Sequence, residues 1–317
     1  IEMGCVFLRA NNTGAQKPFS TMRRKLTNND NFLGYLFLTP ALLFLGLLII
    51  YPVMSAIIQS FYNTNYISGS NSFIGLDNFI SIVRDKIFWK ALYVDVVWTV
   101  GSVGFQLLLG LLAASLISRE STVNKVIRSI LLTPYVIPII SLALLFRWML
   151  NDTYGIITSF LVRSNVLVQG GSLLANTKLA LPTVIAVNIL RSFPFCMVNY
   201  LGTIQSISQD PYEAAMIDGA NAWQKFRFIT LPHLKGITLS LLILRMIFEF
   251  NSFEMIYLLT EGGPAQATQH LPILIYTESI GLFNFGRASA LSVVMGIILV
   301  MMITAFTRLF SRKGEGM

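Results

Sequence analysis

The sequence predicts an all-α integral membrane protein of about six transmembrane helices. Three observations carry this. Of its 317 residues, 54% are hydrophobic and only 12% are charged, whereas a soluble domain carries about a quarter charged residues. The hydrophobic residues gather into six runs, each long enough to cross about 30 Å of hydrocarbon as a helix. The basic residues favour alternate loops between the runs, as in multi-pass membrane proteins.

The first run covers Phe32 to Ile58 and contains Pro40 and Pro52. The second extends from Phe88 to Ile117, the third from Val126 to Leu150 and the fourth from Leu179 to Ile204. The fifth runs from Leu234 to Leu259 and the sixth from Ala288 to Phe310. Residues 32–310 therefore read as one transmembrane domain, with cytoplasmic tails at 1–31 and 311–317. In the first tail, Met3-Gly4-Cys5-Val6-Phe7-Leu8 lacks the Ser or Thr of a myristoylation signal. The first run is too long for the apolar region of a cleaved signal peptide.

With the N-terminus inside, fourteen of the 23 Lys and Arg residues fall in cytoplasmic segments and six in external ones. Arg147, Arg191 and Arg245 lie within runs. This bias places both termini in the cytoplasm, residues 205–233 inside and residues 260–287 outside. The net charge of +8 is spread over many short loops, which argues for topology rather than nucleic-acid binding. Cys5 and Cys196 sit in a tail and an apolar run, and His233 and His270 in separate loops, so neither a disulfide nor a metal site is expected.

The inside loop carries the most informative residues. Asp210 is positioned as an N-cap, Pro211 suits the first helical turn and Glu213 would complete a capping box. Gly219 permits a turn. Asn221 and Gln224 form a second capping pair, and Pro232 is expected to end the helix they start. Two short helices under the membrane follow, either a docking knob or an amphipathic connector.

Glu213-Ala214-Ala215, then Asp218-Gly219, then Ile229 and Leu231-Pro232 resemble the EAA loop of ABC importer permeases. Other segments resemble the same family, in its carbohydrate-uptake branch of maltose and glycerol-phosphate permeases. They are Phe73-Ile74-Gly75-Leu76-Asp77-Asn78-Phe79, Arg191-Ser192-Phe193-Pro194-Phe195, Leu258-Leu259-Thr260-Glu261-Gly262-Gly263-Pro264 with Thr268, and Phe285-Gly286 with Ala288 and Ala290. The resemblance implies a type I importer permease fold, a coupling helix in residues 205–233 that docks on an ATPase, and a bacterial inner-membrane location. It also implies a second homologous permease chain, two ATPase subunits, an extracytoplasmic solute-binding protein and surrounding membrane lipid. Gly262, Gly263 and Pro264 would meet the binding protein, with Gly263 expected to need a positive φ. Where many relatives carry Asn-Thr, this chain has Tyr93-Val94-Asp95. No G-x-x-x-x-G-K-[ST] phosphate loop occurs. ATP and Mg would be used by the partner ATPase, and this chain is expected to bind no cofactor.

Several runs carry polar stripes at helical spacing. Asn188, Arg191, Ser192, Phe195 and Asn199 share one face of the fourth. Asp95, Thr99, Ser102 and Gln106 share one of the second, with Asp95 near the outer end where water would reach it. Arg245, Glu249 and Ser252 align in the fifth. Charge inside a bilayer is costly, so these stripes should face protein or water. Asn188, Arg191, Phe195, Asn199, Gln106 and Glu249 are candidates for a solute path; the other reading is interhelical hydrogen bonding. Arg245 and Glu249 are spaced as an intrahelical pair, and Arg147 is expected to snorkel to the outer face. A secondary transporter or channel would explain the helices but not the EAA spacing. A membrane enzyme would need a convergent catalytic cluster, which the sequence lacks.

Overall fold

A computed structural model describes residues 30–119, 121–168 and 170–311. The tails assigned from sequence lie outside these residues, apart from positions 30, 31 and 311. The chain divides into two units, Ile1–Ser55 and Ala56–Met317.

In the first unit, α1 (Asp30–Leu45) passes through Pro40 into a π-helical turn at Gly46–Ile50, and α2 starts at Tyr51 and runs to Gln59. The wider turn comes immediately before Pro52, whose ring would otherwise press on the carbonyl four residues back. Gly34–Gln59 is apolar and long enough to cross a bilayer.

The second unit contains a small hairpin, β1 (Tyr62–Asn65) with β2 (Ser70–Phe73), paired antiparallel with Tyr62 opposite Phe73. This hairpin was not foreseen. The Asn65 side chain accepts from the Ile67 and Ser68 amides and shapes its turn. Helix α3 (Asp77–Arg84) follows, and its buried Asn78 donates to the Ser60 and Tyr62 carbonyls at 2.8 and 3.0 Å.

The long helix α4 (Lys86–Leu116) starts where the Asp85 carboxylate accepts from the Ile87 amide. Helices α5 (Thr122–Val136) and α6 (Ile139–Met149) lie where one straight span was expected, and they meet at a 94° bend. The cause is Pro138, which pushes Ile137 into the extended region at ψ 133°. After α7 (Ile156–Arg163) comes α8 (Ala180–Gln205), the main packing partner of α4.

The connector after α8 holds α9 (Asp210–Ile217), α10 (Ala222–Lys225), a π turn (Phe226–Thr230) and α11 (Leu231–His233). The helix does not end at Pro232. The π turn just upstream accommodates the proline, and the 61° bend comes at Leu234 before α12 (Lys235–Phe250). The fifth span was expected to continue to Leu259. The chain instead breaks after Phe250 and restarts as α13 (Glu254–Thr260). Then α14 (Leu271–Tyr276), a π turn (Thr277–Gly281) and the final helix α15 (Phe285–Ser311) complete the described residues.

Among the described residues, four helices are long and apolar enough to span a membrane, or up to six spans if each bent pair counts as one. Among the described residues the core has two centres between α4 and α8, around Trp98 and Val184 and around Cys196 and Tyr200, and one around Phe88 and Phe250 that joins α4 to α12, α14 and α15.

Candidate functional site

The polar residues of α4, α8 and α12 converge in the core. Arg245 and Glu249, one turn apart on α12, form an ion pair. The other Glu249 oxygen accepts from Asn188 Nδ2 of α8 at 2.7 Å, and Gln106 Nε2 of α4 donates to the paired oxygen at 3.0 Å. Arg245 Nε donates back to Gln106 Oε1 at 2.9 Å, and Trp98 Nε1 caps the Glu249 carbonyl at 3.0 Å. A carboxylate offers about four acceptor sites, and four donors from three helices surround this residue. The carboxylate's charge is thereby neutralised within the buried core.

Asn188, Gln106 and Glu249 were expected on a solute path. The structure places them in this network instead, with Asn188 and Glu249 each 3% exposed and Gln106 fully buried. A helical wheel shows that a polar stripe exists but not which helix faces it. The expected Arg245–Glu249 pair is present. Arg191, Phe195 and Asn199 remain half-exposed on α8. Phe195 lies between the Tyr135 ring at 5.9 Å and the Arg245 guanidinium at 5.8 Å. Asn199 donates to the Phe195 carbonyl at 2.8 Å.

Asp95 was expected to be hydrated. It is fully buried with Thr99 and Ser102, because α14 packs over the N-terminal half of α4 and brings the Leu271 backbone beside the carboxyl. His270, which the sequence placed in an ordinary loop, is fully buried there too. Its ring lies 6.5 Å from that of Trp98, and burial lowers its pKa to about 4, so the imidazole is neutral at pH 7.

In the connector after α8, α9 starts at Gln209 with no side-chain cap. The Asp210–Glu213 capping box does not form, since Asp210 is already helical and the Glu213 amide bonds the Gln209 carbonyl at 3.0 Å. The two acids still sit at the positive end of the helix. At the other end Gly219 has φ +74°, and the Ala220 amide reaches back to the Ala215 carbonyl at 2.8 Å, which closes the helix with a left-handed residue. The Asn221–Gln224 box does form, with bonds of 2.9 and 2.7 Å. Tyr212 and Thr230 join the two arms through their hydroxyls at 2.8 Å. Glu213, Ala214, Asp218, Leu231 and Pro232 are exposed, whereas Ala215 and Ile229 are half-buried. The tip of α9 presents Met216 and Ile217, the latter 88% exposed.

On the opposite side of the α12–α13 break, Thr268 Oγ1 donates to the Gly263 carbonyl at 2.8 Å and lies 2.7 Å from Thr260 Oγ1. These bonds fold the Gly262-Gly263-Pro264 segment into a compact turn beside a cleft of about 370 Å³. The cleft is lined by Arg147, Asp152, Ser172 and Glu261, among others. Arg147 is half-exposed and pairs with Glu261 at 3.6 Å. The left-handed glycine is Gly262, at φ +87°, not Gly263. A Cβ at Gly262 would also lie 3.1 Å from Ile273 Cγ2. Gly262→Val is therefore expected to cost about 1–3 kcal/mol, read as a lower melting temperature in detergent, with Gly263→Ala milder.

Residues 106–313 match the family model described as binding-protein-dependent transport system inner membrane component. The Escherichia coli inner membrane ABC transporter permease protein YcjO is 35% identical, over 87% of this chain and 93% of its own. The trehalose/maltose transport system permease protein MalF of Thermococcus litoralis is 31% identical, over 93% of this chain and 98% of its own. Among solved structures, a bacterial alginate ABC transporter in complex with its alginate pentasaccharide-bound periplasmic protein contains a chain of the same fold. It superposes with a TM-score of 0.77 at 21% identity, covering 94% of this chain and 98% of that one.

Proposed function

The chain belongs to the family of binding-protein-dependent transport system inner membrane components, and from that premise we propose that it moves a sugar, oligosaccharide or sugar-like solute into the cytoplasm. It is a multi-pass ABC importer permease, a transport subunit. In our reading, an extracytoplasmic binding protein delivers the solute near the Gly262–Pro264 turn. A second homologous permease completes the path, and two ATPase subunits supply energy from ATP and Mg. Both termini face the cytoplasm. The sugar class is supported by the trehalose/maltose and alginate systems named for its relatives.

One observation carries the coupling role. Helix α9 holds Met216 and Ile217 outward on a tight glycine-closed turn between spans α8 and α12. Exposed apolar side chains at the tip of a fixed helix suit a groove on a partner protein. The acids at its start, Asp210 and Glu213, leave the tip itself uncharged except for Asp218.

The test is Ile217→Asp alongside Gly219→Pro. Each is expected to lower both co-purification of the co-expressed ATPase and ATP-dependent sugar uptake by tenfold or more, taking the loss of a buried apolar anchor as about 2 kcal/mol. Insertion and the thermal melt of the Ile217→Asp chain should be unchanged, because Ile217 is not part of the core. Full ATPase association and uptake in both variants would refute the coupling role.

A further inference from the structure

Arginines near or within the spans of this protein follow a pattern. Arg147 pairs with Glu261, Arg245 with Glu249, and Arg287 with both Asp85 and Glu278. Arg128 and Arg191 each keep a buried Nε without a hydrogen-bond partner, and of the two Arg191 is the one at the centre of a long span. It lies near the middle of α8, and no acid among the described residues lies within ion-pair distance. Glu249 is held by Arg245, Gln106 and Asn188, and Asp95, buried beside Leu271 with both oxygens unpartnered, makes no ion pair with Arg191. The half-exposed guanidinium shares its stripe with Phe195 and Asn199, an aromatic face and an amide of the kind that meet sugar rings and hydroxyls.

We propose that Arg191 is the counter-charge for an anionic sugar, one that bears a carboxylate, sulfate or sulfonate. This rests on the solute-path reading above and names the substrate class of that path. An intramembrane charge is tolerated where it pairs or faces water, and a guanidinium is shaped to grip a planar or tetrahedral oxyanion through two parallel N–H bonds. Arg191 would select the acid group. A neutral sugar passing this point would leave the guanidinium without its partner, so the site discriminates by charge as well as shape. A carboxylate of the second permease chain is the other source of the same chemistry, and the experiment separates the two.

The importer is assembled in nanodiscs from this chain, its partner permease and the ATPases, without binding protein. Its melting temperature is followed while glucuronate, galacturonate or glucose 6-sulfate is titrated, with glucose and galactose as neutral counterparts. At least one acid is expected to stabilise the wild type where its neutral counterpart does not. Its half-saturating concentration should rise about tenfold in Arg191→Gln and less in Arg191→Lys. If no acid differs from its neutral counterpart in the wild type, the proposal is overturned. It is also overturned if Arg191→Gln releases the partner permease on size exclusion while acids and neutral sugars act alike, since the counter-charge then comes from that chain. Should Arg191→Gln fail to assemble, the wild type and Arg191→Lys still decide. None of these outcomes bears on ATPase association through α9, so failure here is distinguishable from failure of the transport assignment.

Discussion

Glu249→Ala is expected to destabilise the chain by about 3–5 kcal/mol, the usual cost of stranding one member of a buried ion pair. The carboxylate receives donors from Arg245, Gln106 and Asn188 and is 3% exposed. Its removal leaves the guanidinium with only the Gln106 oxygen and two amides without acceptors in a buried interior. Arg245→Leu/Glu249→Leu should be less damaging than the single change, because no uncompensated charge remains. Gln106→Leu should cost about 1–3 kcal/mol, as it frees one charged donor and one acceptor. Thermal melts of the detergent-solubilised chain, monitored by size exclusion, measure all three. A double variant as unstable as Glu249→Ala would show that the loss comes from packing rather than from stranded charge.

Gly110→Leu is expected to be comparably severe, for a steric reason. A Cβ at Gly110 would stand 2.6 Å from Cys196 Cβ and 2.9 Å from the Met197 amide nitrogen. The second contact is backbone, so no rotamer change relieves it, and α4 and α8 must separate. Overpacking of this kind costs about 1–3 kcal/mol and occasionally more, and here a second loss follows. Gln106 lies one turn before Gly110 on the same helix, so separation also pulls at its bonds to Glu249 and Arg245. Even Gly110→Ala should lower the melting temperature. The control is Gly104→Ala on the same helix, where nothing lies within 4 Å of the added carbon. There the helix gains about 0.5–1 kcal/mol from the lost glycine flexibility. Equal melting temperatures for the two alanine variants would refute the close approach.

The sequence by itself determined the class of this protein, the short helices between its fourth and fifth apolar runs, and its family. Those features are local: a run of about 20 apolar residues is a span wherever it packs, Asn221 and Gln224 cap the helix they adjoin, and Gly219 supplies its own left-handed turn. The i, i+4 pair of Arg245 and Glu249 was legible for the same reason. Long-range placement was not. Gln106 and Glu249 stand 143 positions apart, and their helical faces could equally have met water, a partner chain or each other. Burial of Asp95 depended on α14 folding back over α4. The 94° bend depended on whether Pro138 would kink a helix or break it, and Pro232 was absorbed by a π turn that no spacing announces. The assignment of Gly262 rather than Gly263 to the left-handed region depended on the Thr260 and Thr268 bonds that fold the loop. The tertiary structure decided each of these, because a polar or strained group takes the partner that the packing of distant helices brings to it.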